Sequence, residues 1–124
     1  MDSDEWIETQ KHRLFTNSSV QGPHNCWICK LGGLNKPYST LTVKFPWVPS
    51  KKTMNSHRFA YMIDKKIFEL PKELEISHRC HNKRCVNPEH LSCEPDVVNK
   101  DRQICRGIFP TRCKTHAPYL DCLL

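Results

Sequence analysis

Residues 77–90 read SHRCHNKRCVNPEH and bring cysteines and histidines close together in the chain. Cys80, Cys85 and His90 are spaced five and five, and thiolate and imidazole groups are common ligands of tetrahedral zinc. Three such ligands need a fourth from elsewhere, and either Cys26 or Cys29 is available. The stretch therefore predicts a metal-binding loop in which neither His78 nor His81 is needed as a ligand.

A second set of ligands lies nearer the C-terminus. One contiguous segment supplies a complete Cys3His set, namely Cys105, Cys113, His116 and Cys122. This segment also contains prolines and a glycine and has no sustained hydrophobic period, so cross-links are the main means by which it can fold. We therefore predict two structural zinc sites, with Cys93 and the unused cysteine of the first site as buried free thiols.

Disulfides are the alternative use of the eight cysteines. Two features favour zinc. Histidines are interleaved with the cysteines at ligand spacing, and the start of the chain, MDSDEWIETQ, is acidic and polar and lacks the basic and apolar regions of a secretory signal peptide. We therefore expect a reducing compartment, nuclear or cytoplasmic, and a protein that is not secreted.

Length and charge set the remaining limits. The 124 residues predict a single domain over 1–124, with its core in 26–122 and an N-terminal helix and loop in 1–25. Nineteen Lys and Arg against thirteen Asp and Glu give a net charge of +6, which suits a polyanionic partner such as nucleic acid. No stretch reaches the roughly 18 apolar residues that a membrane-spanning helix needs, so no membrane partner is expected.

The hydrophobic pattern predicts a mixed α+β fold. In YSTLTVKFPWV the residues Leu41, Val43 and Phe45 alternate with polar residues, which is typical of a half-buried strand. The other expected elements are helices over 3–15 and from about 55 to 66, a loop over 17–37 interrupted by NCWIC, a strand over 73–77, and a helix with Pro95 in its first turn.

The stretch SHRCHNKRCVNPEHLSCEPDVVNKDRQIC, residues 77–105, resembles the His-Cys box homing endonucleases of the I-PpoI type. These belong to the ββα-metal, or His-Me finger, superfamily of HNH-like nucleases. CHN, RC, NP, HL, the Cys93 position and NK carry the resemblance, which extends more loosely to the downstream Cys3His set and back to NCW and SHRF. It implies a small zinc-stapled ββα-metal fold with a short antiparallel sheet and two structural zinc ions, acting on double-stranded DNA.

The resemblance also implies roles for individual residues. His78 matches the general base that activates the attacking water, and Asn99 matches the residue that holds a single catalytic Mg²⁺. The family places an aromatic residue directly after the upstream zinc ligand, so Trp27 favours Cys26 over Cys29. The family also uses a cation to grip the scissile phosphate, and the candidates are Lys44 first and Arg58 second.

One departure leaves the assembly and the activity open. The chain ends two residues after Cys122, whereas the I-PpoI type continues into a tail that is exchanged between the subunits of its dimer. A homodimer is therefore possible but lacks the family's dimerisation tail, and a monomer would nick one strand. The alternative function is a catalytically inactive, zinc-stabilised DNA-binding or chromatin-associated module derived from such a nuclease.

Overall fold

The computed structural model of the chain describes residues 3–108 and 116–123. It confirms the predicted α+β class. In chain order the elements are α1 (Ser3–Thr16), β1 (Ser18–Gln21), β2 (Cys26–Cys29), β3 (Thr40–Val43), β4 (Lys52–Asn55), α2 (Ser56–Lys65), β5 (Leu74–His78), a 3-10 turn (Pro88–His90), β6 (Leu91–Pro95) and α3 (Asp96–Ile108).

The strands pair as three separate antiparallel hairpins, β1 with β2, β3 with β4, and β5 with β6. In the last hairpin Leu74 lies opposite Pro95 and His78 lies opposite Leu91. An isolated bridge between Ile28 and Cys85 ties β2 to the loop that follows β5. This bridge brings the upstream cysteines to the metal-binding loop.

The β5–β6 hairpin and the helix after it form a compact ββα unit. Pro95 ends β6, and α3 begins at Asp96 and packs against both strands of the hairpin. An aspartate in the first turn suits the positive end of the helix dipole. The unit places the end of β5 and the middle of α3 beside each other, and both carry residues that the sequence singles out.

The core lies between α1, α2 and the β3–β4 hairpin. Helix α1 contributes Trp6, Ile7 and Leu14, and α2 contributes Phe59 and Ile63, all buried. The alternation predicted for β3 is confirmed, since Leu41 and Val43 are buried while Thr42 between them is exposed. Trp6 packs edge to face on Phe59 with 5.9 Å between ring centroids, so aromatic contacts supply much of this small core.

Several predicted boundaries were wrong. The segment 17–37, expected as loop around NCWIC, contains the strands β1 and β2. Strands β4 and β6 were not predicted, and Pro95 closes β6 where a helical first turn was expected. These strands are only four or five residues long, and pairing within a hairpin stabilises them although their own sequences carry little alternation.

Among residues 3–108 and 116–123, no helix combines the length and the apolar character that crossing a membrane requires.

Candidate metal centres and cleft

The first predicted zinc site is brought together by three different parts of the fold. Its ligand atoms all lie within 4.8 Å of one another, and they belong to Cys26, Cys80, Cys85 and His90. Cys26 opens β2, the next two cysteines flank the loop after β5, and His90 ends the 3-10 turn. Cys29, the other candidate, is fully buried in the hydrophobic core and is outside this cluster.

The distances in this cluster match a tetrahedral zinc site. The Nδ1 atom of His90 lies 3.5 Å from the sulfur of Cys26 and 3.5 Å from the sulfur of Cys85. A zinc ion bound to sulfur at about 2.3 Å and to nitrogen at about 2.0 Å would separate two such ligand atoms by about 3.5 Å. The spacing of His90 from Cys26 and from Cys85 therefore matches the one that a zinc ion would impose.

A hydrogen bond from Cys80, assisted by nearby backbone N–H groups, favours the thiolate form of Cys85, which is the form that zinc binds. The pKa of its thiol is lowered to about 5, first by a hydrogen bond from Cys80 and further by the backbone N–H groups of Asn87 and Trp27. A sulfur that accepts several N–H hydrogen bonds is stabilised as an anion. The loop and β2 thus prepare this sulfur for a cation.

The second cluster consists of Cys105, His116 and Cys122, all buried. The Nε2 atom of His116 lies 3.3 Å from each of the two sulfurs. Cys113, the remaining predicted ligand, lies outside the described residues. The three ligands present have the donor types and the spacing of a zinc site that needs one more ligand.

Arg102 connects this second cluster to the β5–β6 hairpin. Its guanidinium makes a two-pronged ion pair with Glu94 on β6, with Nε 2.6 Å from Oε1 and Nη2 2.9 Å from Oε2. It also donates to the carbonyl of Leu120 at 2.7 Å and to the sulfur of Cys122 at 3.3 Å. Burial alone would raise the pKa of Glu94, but hydrogen bonds from Arg102 and Ser92 outweigh it and hold that pKa below its usual range.

A cleft opens between the end of β5, the metal-binding loop and α3. Both residues predicted for catalysis line it, together with further polar side chains; the lining includes Tyr38, His78, His81, Lys83, Asn99 and Gln103. The cleft therefore brings His78, which is outside the metal cluster, together with Asn99 on α3.

The imidazole of His78 is held in one orientation. Its Nε2 atom lies 3.0 Å from the backbone carbonyl of Cys85. The ring of His57 packs beside it with 4.3 Å between centroids, and the ring of Tyr38 lies at 6.3 Å. Burial, together with the neighbouring His57, lowers the pKa of His78 to about 3, so the imidazole is neutral at physiological pH.

The side-chain amide of Asn99 is also oriented. Its Nδ2 group donates to the Oε2 atom of Glu75 on β5 at 2.8 Å. Because the amide nitrogen is used in this bond, the Oδ1 atom is the end of the side chain that remains for a cation. An amide oxygen is a hard ligand of the kind that Mg²⁺ accepts.

A family model described as the zinc-binding loop region of homing endonuclease matches residues 25–122. The chain belongs to this homing endonuclease family. Searches of the curated proteins and of the solved structures found no match. The matched residues of this homing endonuclease family member include every residue of both clusters and of the cleft, so the two Cys/His clusters are sites that can bind zinc.

The two cations predicted to bind the scissile phosphate lie outside the cleft in this homing endonuclease family member. Neither Lys44 nor Arg58 is among the described residues that line the cleft. Lys44 follows β3 on the exposed side, and Arg58 on α2 lines a different depression together with Phe68 and Glu69.

Two residues of the cleft region were missed by sequence reasoning. Glu75 alternates with Ser77 along β5 and carries no local signal that it will meet Asn99. Lys83 lies in NKRC, residues 82–85, where residue type alone does not show which cation faces the cleft. In both cases the partner is distant in sequence, so only the packing of α3 and of the loop against β5 and Tyr38 reveals the contact.

Proposed function

We propose that this chain is a metal-dependent endonuclease that hydrolyses phosphodiester bonds of double-stranded DNA. His78 is the general base that takes a proton from the attacking water, and Asn99 holds a catalytic Mg²⁺. The two zinc ions, bound by the two clusters, are structural.

The hydrogen bond between His78 and the carbonyl of Cys85 is the observation that carries the proposal. A carbonyl oxygen only accepts, so Nε2 must carry the ring proton and Nδ1 is left with its lone pair. A neutral imidazole with a fixed tautomer and an unprotonated nitrogen on a polar cleft can accept a proton from the attacking water. Because Cys85 is itself in the first metal cluster, the same loop fixes both the ligand and the tautomer.

Asn99 supplies the second part of the site. The bond to Glu75 prevents the amide from turning its nitrogen toward the cleft, so a cation there meets oxygen. When bound, Mg²⁺ would neutralise the negative charge that develops on the departing 3′ oxygen. His78 in turn holds the proton of the water at Nδ1 after the attack.

The experiment that tests this function is cleavage of supercoiled plasmid by zinc-loaded protein. We expect nicked or linear product only when Mg²⁺ is added, and we expect His78→Ala and Asn99→Ala to abolish it while both variants retain their zinc. His12→Ala is the matched control, because His12 is exposed on α1 and does not line the cleft.

The inactive DNA-binding module remains the rival outcome. If the wild type binds both zinc ions and duplex DNA but leaves several unrelated plasmids intact at every Mg²⁺ concentration, the nuclease proposal is wrong. Omitting Mg²⁺ is the appropriate blank, since a chelator would also remove zinc from the clusters and unfold the site.

A further inference from the structure

We propose that Lys83 is the residue that binds a backbone phosphate of the DNA in the cleft, a role for which the family resemblance made Lys44 and Arg58 the candidates. The inference rests on the proposed function, because it assigns the phosphate contact of the same cleft. Three observations support it. Lys83 lines the cleft, none of the ion pairs among the described residues involves it, and the neighbouring cations already bind other protein groups.

Lys83 projects from a loop that is fixed at both ends. The loop runs between Cys80 and Cys85, which both belong to the first metal cluster. Within it, the side chain of Asn82 accepts from the backbone N–H of Arg84 at 3.1 Å, and the Asn82 carbonyl accepts from the N–H of Cys85 at 3.1 Å. The backbone that carries Lys83 is therefore rigid, and the residue lines the cleft beside His78 and Asn99.

The ammonium group of Lys83 is held by an aromatic ring and by no carboxylate. It lies 5.6 Å from the centroid of the Tyr38 ring, and none of the ion pairs formed by residues 3–108 and 116–123 involves it. A cation over an aromatic face keeps its charge un-neutralised. Lys83 is exposed, so this charge remains available to an anion that enters the cleft.

Two nearby arginines, Arg84 and Arg102, already bind other protein groups. Arg84 donates to the carbonyls of Cys29, Leu31 and Lys36 at 2.9–3.0 Å, which fixes the segment between β2 and β3. Arg102 is buried in its pair with Glu94. These arginines hold protein groups together and cannot reach a phosphate without breaking those contacts.

On α3, Lys100 pairs with Asp96 at 2.8 Å and does not line the cleft. Lys83 is thus the one lysine among the described residues that both lines the cleft and lacks an acidic neighbour. A compact ammonium charge at the rim, next to a neutral base and an amide oxygen, suits a phosphodiester oxygen of the DNA strand.

The first measurement is the salt dependence of binding to a short DNA duplex of mixed sequence, made in the His78→Ala background so that the DNA stays intact. The plot of log affinity against log salt has a negative slope. We expect Lys83→Met to make this slope less steep by about 0.9, because one phosphate contact is lost. Lys72→Met is the matched control. It removes the same charge from an exposed lysine that precedes the start of β5, at the opposite end of the strand from His78.

Lys83→Arg provides the rescue. It keeps the charge at the rim, so we expect the slope of the parent. In the His78-containing protein, Lys83→Met should lower the rate of plasmid cleavage by about tenfold or more while zinc content stays unchanged, because the contact is strongest when charge develops on the phosphate.

The outcomes separate the two proposals. Suppose that the His78-containing protein cuts DNA, and that Lys83→Met and Lys72→Met give the same salt slope and the same cleavage rate. The nuclease proposal then stands and the assignment of Lys83 is wrong. Suppose instead that the His78→Ala protein binds DNA and the slope changes only for Lys83→Met, but the His78-containing protein cuts no plasmid. The phosphate contact then stands and the nuclease proposal fails. If the parent does not bind duplex DNA, both are overturned.

Discussion

Replacing Arg102 by methionine should destabilise the fold far more than replacing an exposed residue of the same helix. Arg102 and Glu94 have exposed side-chain fractions of 1% and 0%, and their carboxylate and guanidinium meet at two points. Met fills similar space but leaves the buried Glu94 carboxylate without its guanidinium partner, while the Ser92 hydroxyl still donates to it. It also leaves the carbonyl of Leu120 and the sulfur of Cys122 without this donor.

The size of the effect follows from the burial of the pair. Removing one partner of a buried ion pair costs about 3–5 kcal/mol, because the remaining charge is uncompensated. We expect Arg102→Met to lower the free energy of unfolding by about 4 kcal/mol. With a urea slope of about 2 kcal/mol per molar, the midpoint should fall by about 2 M.

The double variant Glu94→Leu with Arg102→Met gives the sharper test. It removes both charges, and exchanging a whole buried pair for apolar side chains is often nearly neutral. The double variant should therefore be more stable than Arg102→Met alone, by about 2 kcal/mol or more. Urea unfolding should be followed at a fixed excess of free zinc, since zinc binding contributes to the measured stability.

Lys100→Met is the matched control on the same helix, because its ion pair with Asp96 is exposed and should contribute little. The reasoning is refuted if Arg102→Met is as stable as this control. It is also refuted if the losses in free energy of unfolding measured for Glu94→Leu and Arg102→Met separately add up to the loss measured for the double variant.

Three further predictions concern backbone space, the orientation of an amide and the metal. Gly32→Ala should destabilise the fold by about 2 kcal/mol more than Gly22→Ala. Both glycines have a φ of +79°, so the backbone strain cancels, but only at Gly32 would an added Cβ clash with the backbone and hydroxyl of Thr40 on β3. Comparing the urea midpoints of the two variants measures the difference. Glu75→Ala should lower the rate of plasmid cleavage and raise the Mg²⁺ concentration needed for half-maximal rate, because the amide of Asn99 is no longer held; a Mg²⁺ titration of the rate measures both. The protein should release about two zinc ions per chain to a chromogenic chelator after its thiols are blocked, and Cys85→Ala should release about one.

Each of these has a result that would contradict it. Equal midpoints for the two glycine variants would mean that the loop at Gly32 can move away from β3 at little cost. An unchanged Mg²⁺ requirement in Glu75→Ala would show that this carboxylate does not orient the amide. A Cys85→Ala protein that still releases two zinc ions would exclude this cysteine as a ligand.

The spacing of ligands along the chain was enough to predict where the two Cys/His clusters form. Cys80, Cys85 and His90 lie within eleven residues, so the covalent chain itself keeps them close and a short turn completes the arrangement. The same argument holds for the second cluster. The strand at Leu41 and the amphipathic helix α2 were also predictable, because burial on one face imposes a period of two or of about 3.6 residues.

Short strands and distant partners were not predictable in this way. Strands β1, β4 and β6 are four or five residues long and gain their hydrogen bonds from a neighbouring strand, so their own sequences carry little period. The motif pointed to Cys26 over Cys29, but what brings it to the cluster is the bridge between Ile28 and Cys85. Residue type also did not separate Lys83 from Arg84, and only the fold shows that Arg84 binds three backbone carbonyls while Lys83 lines the cleft.

The sequence by itself determined that the protein has two Cys/His clusters and that His78 and His81 are not needed as their ligands, because these depend on residue type and on separations along one chain. Only the tertiary structure decided that Nε2 of His78 meets the carbonyl of Cys85, that Glu75 holds Asn99, and that Lys83 faces the cleft without an acidic partner. Those contacts join residues on separate elements, and their geometry is set by how the hairpin, the loop and α3 pack together.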